Sequence, residues 1–276
     1  MLLLLAQALF VATPFTPERS FTSGVEGPAT DKAGNVFAVS YQRTDTIGRV
    51  TPEGKAELWV TMPEGSLGNG IRFTPEGRMF VADYKGHNIL EIDPVTRKFT
   101  VFAKVPTPFQ PNDIALAPDG TLWASDPDWK GGAGQVWRIG KDAKVMKAAS
   151  MTSTSNGIEV SPNGKYLYVN ESGARTVWRF RIGRDGTLSK KKLLIQFPDF
   201  GMDGMRADVK GNLYVTRHGK GVVAIVSPKG KVIREVDVLG KMPTNITFGG
   251  PDGRTCYVTE VEHGRLVSFR AEFAGR

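Results

Sequence analysis

Several things are scarce in this chain. A single cysteine, Cys256, excludes an intrachain disulfide and leaves the redox compartment unread; within "TCYVTE" it reads as a packed strand position. Long apolar runs are missing too. The N-terminal "MLLLLAQALFVATPF" holds an apolar stretch of about a dozen residues, too short to span a bilayer stably but suited to the core of an export signal. No Lys or Arg precedes it, and the small-x-small "AQA" falls early for a cleavage site. Residues 1–14 are read as this leader, implying a periplasmic or secreted protein. The alternative is a cytoplasmic protein that buries the segment as a strand. A one-sided charge distribution is also lacking. The formal charge is +8, but 36 basic residues are interleaved with 28 acidic ones, and the one dense run, Lys190 to Lys192, reads as a solvated loop. With no basic face interleaved with aromatics, nucleic acid is not an expected partner.

What is present is glycine, proline and repetition. The 32 Gly and 17 Pro are spread along the whole chain, which points to many short elements separated by turns. The segments "GNGIRFTPEGR", "PNDIALAPDGT", "SNGIEVSPNGK", "MDGMRADVKGN" and "TNITFGGPDGR" are variants of one unit. Taking one residue per unit as its anchor gives Glu26, Asn69, Asn112, Asn156, Asp203 and Asn245, spaced by 43, 43, 44, 47 and 42 residues. That period belongs to propellers and other repeat arrays. Eight residues after each anchor stands a glycine: Gly34, Gly77, Gly120, Gly164, Gly211 and Gly253. A hairpin turn with positive φ is predicted there. Fourteen or fifteen residues after the anchor come Ser40, Asp83, Asp126, Glu171, Arg217 and Glu260.

Between these marks lie β-branched and aromatic segments such as "RMFVAD", "TLWASD" and "KYLYVN", with third and fourth strands following. The sixth unit ends after its third strand, so "PERSFTSG" at residues 17–24 is expected to supply the fourth. The fold expected is all-β: one six-bladed β-propeller over residues 15–276, its last blade completed by an N-terminal strand.

The innermost strand of a propeller blade lines the central channel, so the anchors converge at one mouth. They form a ring of two carboxylates and four carboxamides with no Cys or His, a shell suited to Ca²⁺. Mg²⁺ or Mn²⁺ are alternatives, and Zn²⁺, which favours nitrogen and sulfur, is a more distant one. Asn is also a turn residue, and for Asn69 and Asn245 that reading leads. Glu26 lacks the short side chain that suits such a turn, and two acids facing each other across a channel call for a cation between them.

"VEGPATDKAGNVF", "QPNDIALAPDGTLWASD", "SNGIEVSPNGKYLYVNES" and "MDGMRADVKGNLYVT" closely resemble the senescence-marker-protein/gluconolactonase family, whose wider relatives include diisopropyl fluorophosphatase and the paraoxonases. The resemblance spans roughly residues 17–272. It implies a six-bladed fold, a divalent metal in the channel, and hydrolysis of lactones or, in some relatives, organophosphates. Carried over by motif, Glu26, Asn156 and Asp203 are implied metal ligands, with Asn112 a further ligand or substrate contact. Gln110 stands where animal gluconolactonases carry a sugar-binding arginine, which puts sugar-lactone specificity in question.

The expected chemistry is attack of water on a lactone or related ester polarised by the metal, with Asp203 as general base as well as ligand. Asp126, Trp129, Arg217 and His218 join Asn112 and Gln110 as candidate substrate contacts. Each has a structural alternative, such as a turn cap for Asp126 or an inter-blade ion pair for Arg217. Two rival functions are a non-catalytic exported binding propeller with a structural metal and a phosphotriester hydrolase. A monomer or dimer is expected.

Overall fold

In a computed structural model, residues 8–107 and 109–276 are described. They form six four-stranded antiparallel sheets arranged as the blades of a propeller. The innermost strands are Phe21–Thr30, Gly68–Phe73, Ile114–Leu116, Ser155–Val160, Met205–Ala207 and Pro243–Gly249. Each is followed by a hairpin turn at the glycine the repeat marks, and all six have positive φ, from 69° at Gly164 and Gly253 to 98° at Gly77. Only glycine takes that conformation without a Cβ penalty.

Because strand side chains alternate between faces, each blade has two apolar faces to bury, and it buries them on its neighbours. One core layer joins Phe37, Ile47 and Trp59 of blade one to Ile71, Met79 and Leu90 of blade two. Another joins Tyr214 and Val223 of blade five to Ile246, Cys256 and Phe269 of blade six. Cys256 is a fully buried strand residue, as its neighbours predict. The outermost strands are the exposed ones. Lys190 to Lys192, expected in a loop, instead lie on the outer strand Leu188–Gln196, where the pairing slips and Lys190 has φ 50°. Lysines at a bulged edge discourage strand addition by another chain.

The ring closes as expected in kind but not in place. The strand completing the last blade is Thr13–Pro14, paired with Val267 and Ser268, whereas Phe21–Gly24 begins the inner strand of blade one. Phe10 and Ala12 pack on the same blade, so the closing strand and its flank lie within residues 1–14. Residues 1–7 of the expected leader lie outside the described residues. Among the described residues, no helix is long and apolar enough to cross a membrane.

Candidate functional site

The anchors sit where the inner strands leave their ladders. Pairing skips from Gly68 to Ile71, from Ser155 to Ile158 and from Pro243 to Ile246, and it shifts on both sides of Glu26. In blades three and five the inner strand starts just after the anchor, at Ile114 and Met205. A break in the ladder re-aims a side chain, which is why bulges gather at sites. The residue after the anchor is glycine in four blades because neighbouring blades nearly touch there. A Cβ on Gly157 would lie 2.3 Å from the Asp203 carbonyl oxygen, and one on Gly204 would lie 2.0 Å from the Asn245 side chain.

The ring presents oxygen. Glu26 Oε2 and the Oδ1 atoms of Asn69, Asn112 and Asn156 are buried with no hydrogen-bond partner in the protein. Buried acceptors are normally satisfied, so four without a protein partner on a single ring suit a bound cation or ordered water. Asn245 has a different task. Its Oδ1 accepts from its own chain at Ile246 N, 2.9 Å, while Nδ2 donates to Glu26 Oε1 at 2.8 Å, holding that carboxylate. Asn69, expected as a turn residue, leaves its oxygen free of the backbone.

Two acids complete the ring. Burial, then the negative charge of Asp113, pushes the Glu26 carboxyl up to about 7, although Thr244, Asn245 and Arg206 favour its ionised form. Burial and the nearby Glu26 push Asp203 well above the usual carboxylate range, with the Asn156 side chain opposing the rise. Two carboxyls that resist ionising together, beside partnerless amide oxygens, fit a hard dication and leave no nitrogen or sulfur for a softer one.

In blades two to five the residue fourteen or fifteen after the anchor holds the chain that leads into the ring. Asp83 accepts from Ser66 Oγ at 2.8 Å and Leu67 N at 3.1 Å. Asp126 accepts from Thr107 Oγ1 at 2.6 Å and Trp137 Nε1 at 2.8 Å. Glu171 accepts from Thr152 N at 2.7 Å and Ser153 N at 2.9 Å. Arg217 donates to Gly201 O at 3.3 Å and Asp199 Oδ1 at 2.8 Å, and its guanidinium lies over Phe197. In blades two to five, therefore, each grips the connection leading into its own anchor. Asp126 is fully buried and Arg217 is 1% exposed. The repeat fixed where these residues stand but not which way their polar groups turn.

Other substrate-facing candidates come together on one side. The Tyr84 hydroxyl interacts with both Trp129 and Gln110, and Trp129 is 47% exposed. Gln110 Oε1 is another buried oxygen without a protein partner. Tyr84 was not legible as a site residue; its one signal is its position directly after Asp83. His218 is half-buried, and burial lowers its pKa. Glu260, Glu262 and His263 also cluster, but Glu260 is taken up by Glu262 N, His263 N and His263 Nδ1.

The floor of the channel was also missed. Asp113, fully buried, forms ion pairs with Arg206 at 3.2 Å and Arg72 at 3.5 Å. Arg276 Nε reaches Glu159 Oε1 at 2.8 Å. Arg72, Glu159 and Arg206 each follow an anchor by three residues. They line a cavity of about 1090 Å³ that opens among the hairpin turns, at the end opposite the ring.

Known proteins share this architecture. The chain is 25% identical to a gluconolactonase of Zymomonas mobilis, over 91% of this chain and 80% of that one. It is 26% identical to a pentonolactonase of Haloferax volcanii, over 71% of this chain and 68% of that one. The crystal structure of a calcium-binding protein, regucalcin, from Agrobacterium tumefaciens superposes with a TM-score of 0.83 at 22% identity, covering 98% of this chain and 95% of that one. The model of the SMP-30/gluconolactonase/LRE-like region matches residues 24–262, and the chain belongs to that family.

Proposed function

We propose that this protein is a lactonase that opens a lactone or related ester at the ring mouth of its channel, with a divalent cation held by Glu26, Asn112, Asn156 and Asp203. The observation that carries the reading is the set of buried, partnerless oxygens on that ring. The donor set suits Ca²⁺ ahead of Mg²⁺ or Mn²⁺, and Zn²⁺ least. The lactonase relatives and the calcium-binding one support the same assignment.

When bound, the cation supplies Lewis acidity towards the ester carbonyl and offsets charge developing on its oxygen. Glu26, held by Asn245, and Asp203, beside Asn156, provide the two negative charges. Asp203 takes the proton of the attacking water and passes it to the ring oxygen as the C–O bond breaks, leaving a hydroxy acid. Gln110 and Tyr84 bond substrate hydroxyls, Trp129 covers an apolar face, and neutral His218 borders the mouth. Asp126 and Arg217 act from behind, through the connections they grip.

A panel of γ- and δ-lactones, an aryl ester and a phosphotriester, each with calcium or chelator, tests this. Lactone opening that stops on chelation and returns with calcium is expected. Failure to hydrolyse any of them while metal-loaded would retire the enzyme reading in favour of a binding propeller. Preference for the phosphotriester would change the reaction class. The proposal extends to an exported location, tested by N-terminal sequencing of the mature protein. A start beyond Thr16 would remove the strand that closes the ring.

A further inference from the structure

The opposite mouth of the channel carries the reverse chemistry. Arg206 is 6% exposed and Arg72 9%, yet Nη2 of each has no hydrogen-bond partner in the protein. Each Nη1 is engaged, that of Arg206 with Asp113 Oδ2 and, at 2.6 Å, Met205 O, and that of Arg72 with Ile71 O at 2.7 Å, while Arg72 Nη2 lies 3.5 Å from Asp113 Oδ1. Arg276 and Glu159 neutralise each other, with the second Arg276 edge also donating to Leu116 O at 2.7 Å. Asp113 is the carboxylate ion-paired with both guanidinium groups, leaving one positive charge in excess within that cluster, with Glu26 acting on Arg206 from farther off. Both arginines line the cavity, and further out Lys32, Arg78 and Lys141 line it beside Asp31, Glu76 and Asp119.

We propose that this mouth is a second binding site, taking the phosphate or sulfate oxyanion of a ligand between the Nη2 atoms of Arg72 and Arg206, neither of which makes a hydrogen bond within the protein. Guanidinium groups match such oxygens with directed N–H donors, and a buried positive excess favours an anion over water. About 1090 Å³ leaves room for a free oxyanion or for one carried on a larger organic molecule. The site shares no residue with the proposed metal ring, so it stands whether or not that ring holds a cation.

The test uses the full chain with chelator present and inorganic sulfate as the probe, read by calorimetry and thermal midpoint against chloride at equal ionic strength. Saturable sulfate binding is expected. Arg72→Gln should weaken it roughly tenfold, with Arg72→Lys in between and Asp203→Asn without effect. A sugar-sized phosphomonoester forms a parallel arm, and tighter binding than sulfate would identify an organic ligand. A sulfate response no different from chloride, or one unchanged by Arg72→Gln, would overturn the site. Should the arginine variants fail to fold, selenate soaked into crystals of the unaltered protein decides. Anomalous density at the two Nη2 atoms supports the site, and ordered water there overturns it.

Discussion

The two ends of the channel solve opposite problems with the same six strands. At the ring mouth the orphaned atoms are acceptors, the oxygens of Glu26, Asn69, Asn112 and Asn156. At the opposite mouth they are donors, the Nη2 atoms of Arg72 and Arg206. Asp113 stands between: it pairs with both arginines, and its charge raises the carboxyls of Glu26 and Asp203. A propeller channel is thus a low-dielectric tube whose ends present unpartnered atoms of opposite kind, acceptors at one and donors at the other, set by residues only a few positions apart on the inner strands.

The sharpest way to break the contrast is Asp203→Asn, which keeps the shape of the side chain and removes one of the two ring charges. Calcium affinity should fall roughly 10- to 100-fold, and turnover at saturating calcium roughly 100-fold or more if Asp203 also moves the proton. Calorimetry and initial rates across a calcium series separate the two effects. Turnover retained at saturating metal would leave Asp203 a ligand only.

A smaller effect tests the electrostatics without substrate. The Glu26 carboxyl is raised from an ordinary 4.5 to about 7 in the folded chain, so over that window the native state holds more protons than the unfolded one. Its contribution to stability is therefore present at low pH and is lost as pH rises through about 7. The loss is on the order of 1 to 3 kcal/mol for a group this buried. Denaturant midpoints of chelated protein should fall across that window, and calcium should restore them increasingly as pH rises. A chelated curve that stays flat would mean the acids are not buried together.

Asn245→Ala removes no ring charge and should spare turnover, unlike Asp203→Asn. Its amide holds Glu26 Oε1, and removing such support commonly costs 10- to 100-fold in metal affinity. Near-normal turnover at saturating calcium should accompany the weaker binding, in contrast to Asp203→Asn. Equal losses in both measurements would place Asn245 among the reacting groups instead.

Which of these features could be read in advance follows from what a repeat encodes. Period and turn glycines identify the blades, because a positive φ is demanded at the same offset in every unit. The oxygen ring follows from the same register. The closing strand was misplaced because residues 1–14 read as an apolar leader, which left "PERSFTSG" as the segment ahead of the first anchor, whereas the strand is Thr13–Pro14, an outermost position that tolerates a proline. Asp126 and Arg217 were placed correctly in the unit, but register does not tell whether a polar group faces the channel or grips the loop behind it. Arg72, Glu159 and Arg206 read as ordinary alternating strand residues. Only closing the ring brings three separate blades' polar side chains onto one cavity.

The smallest expected effect concerns whether the two ends speak to each other. Arg206 lowers the Glu26 carboxyl directly, whereas Arg72 pairs with Asp113 at 3.5 Å, which offsets its charge. Arg72→Gln should therefore weaken sulfate binding roughly tenfold while changing calcium affinity by less than about threefold, a difference below 1 kcal/mol. Calcium titrations of the variant with and without sulfate measure this. Parallel losses of calcium and sulfate would show one continuous ion path through the channel, with Asp113 transmitting charge rather than isolating the two mouths.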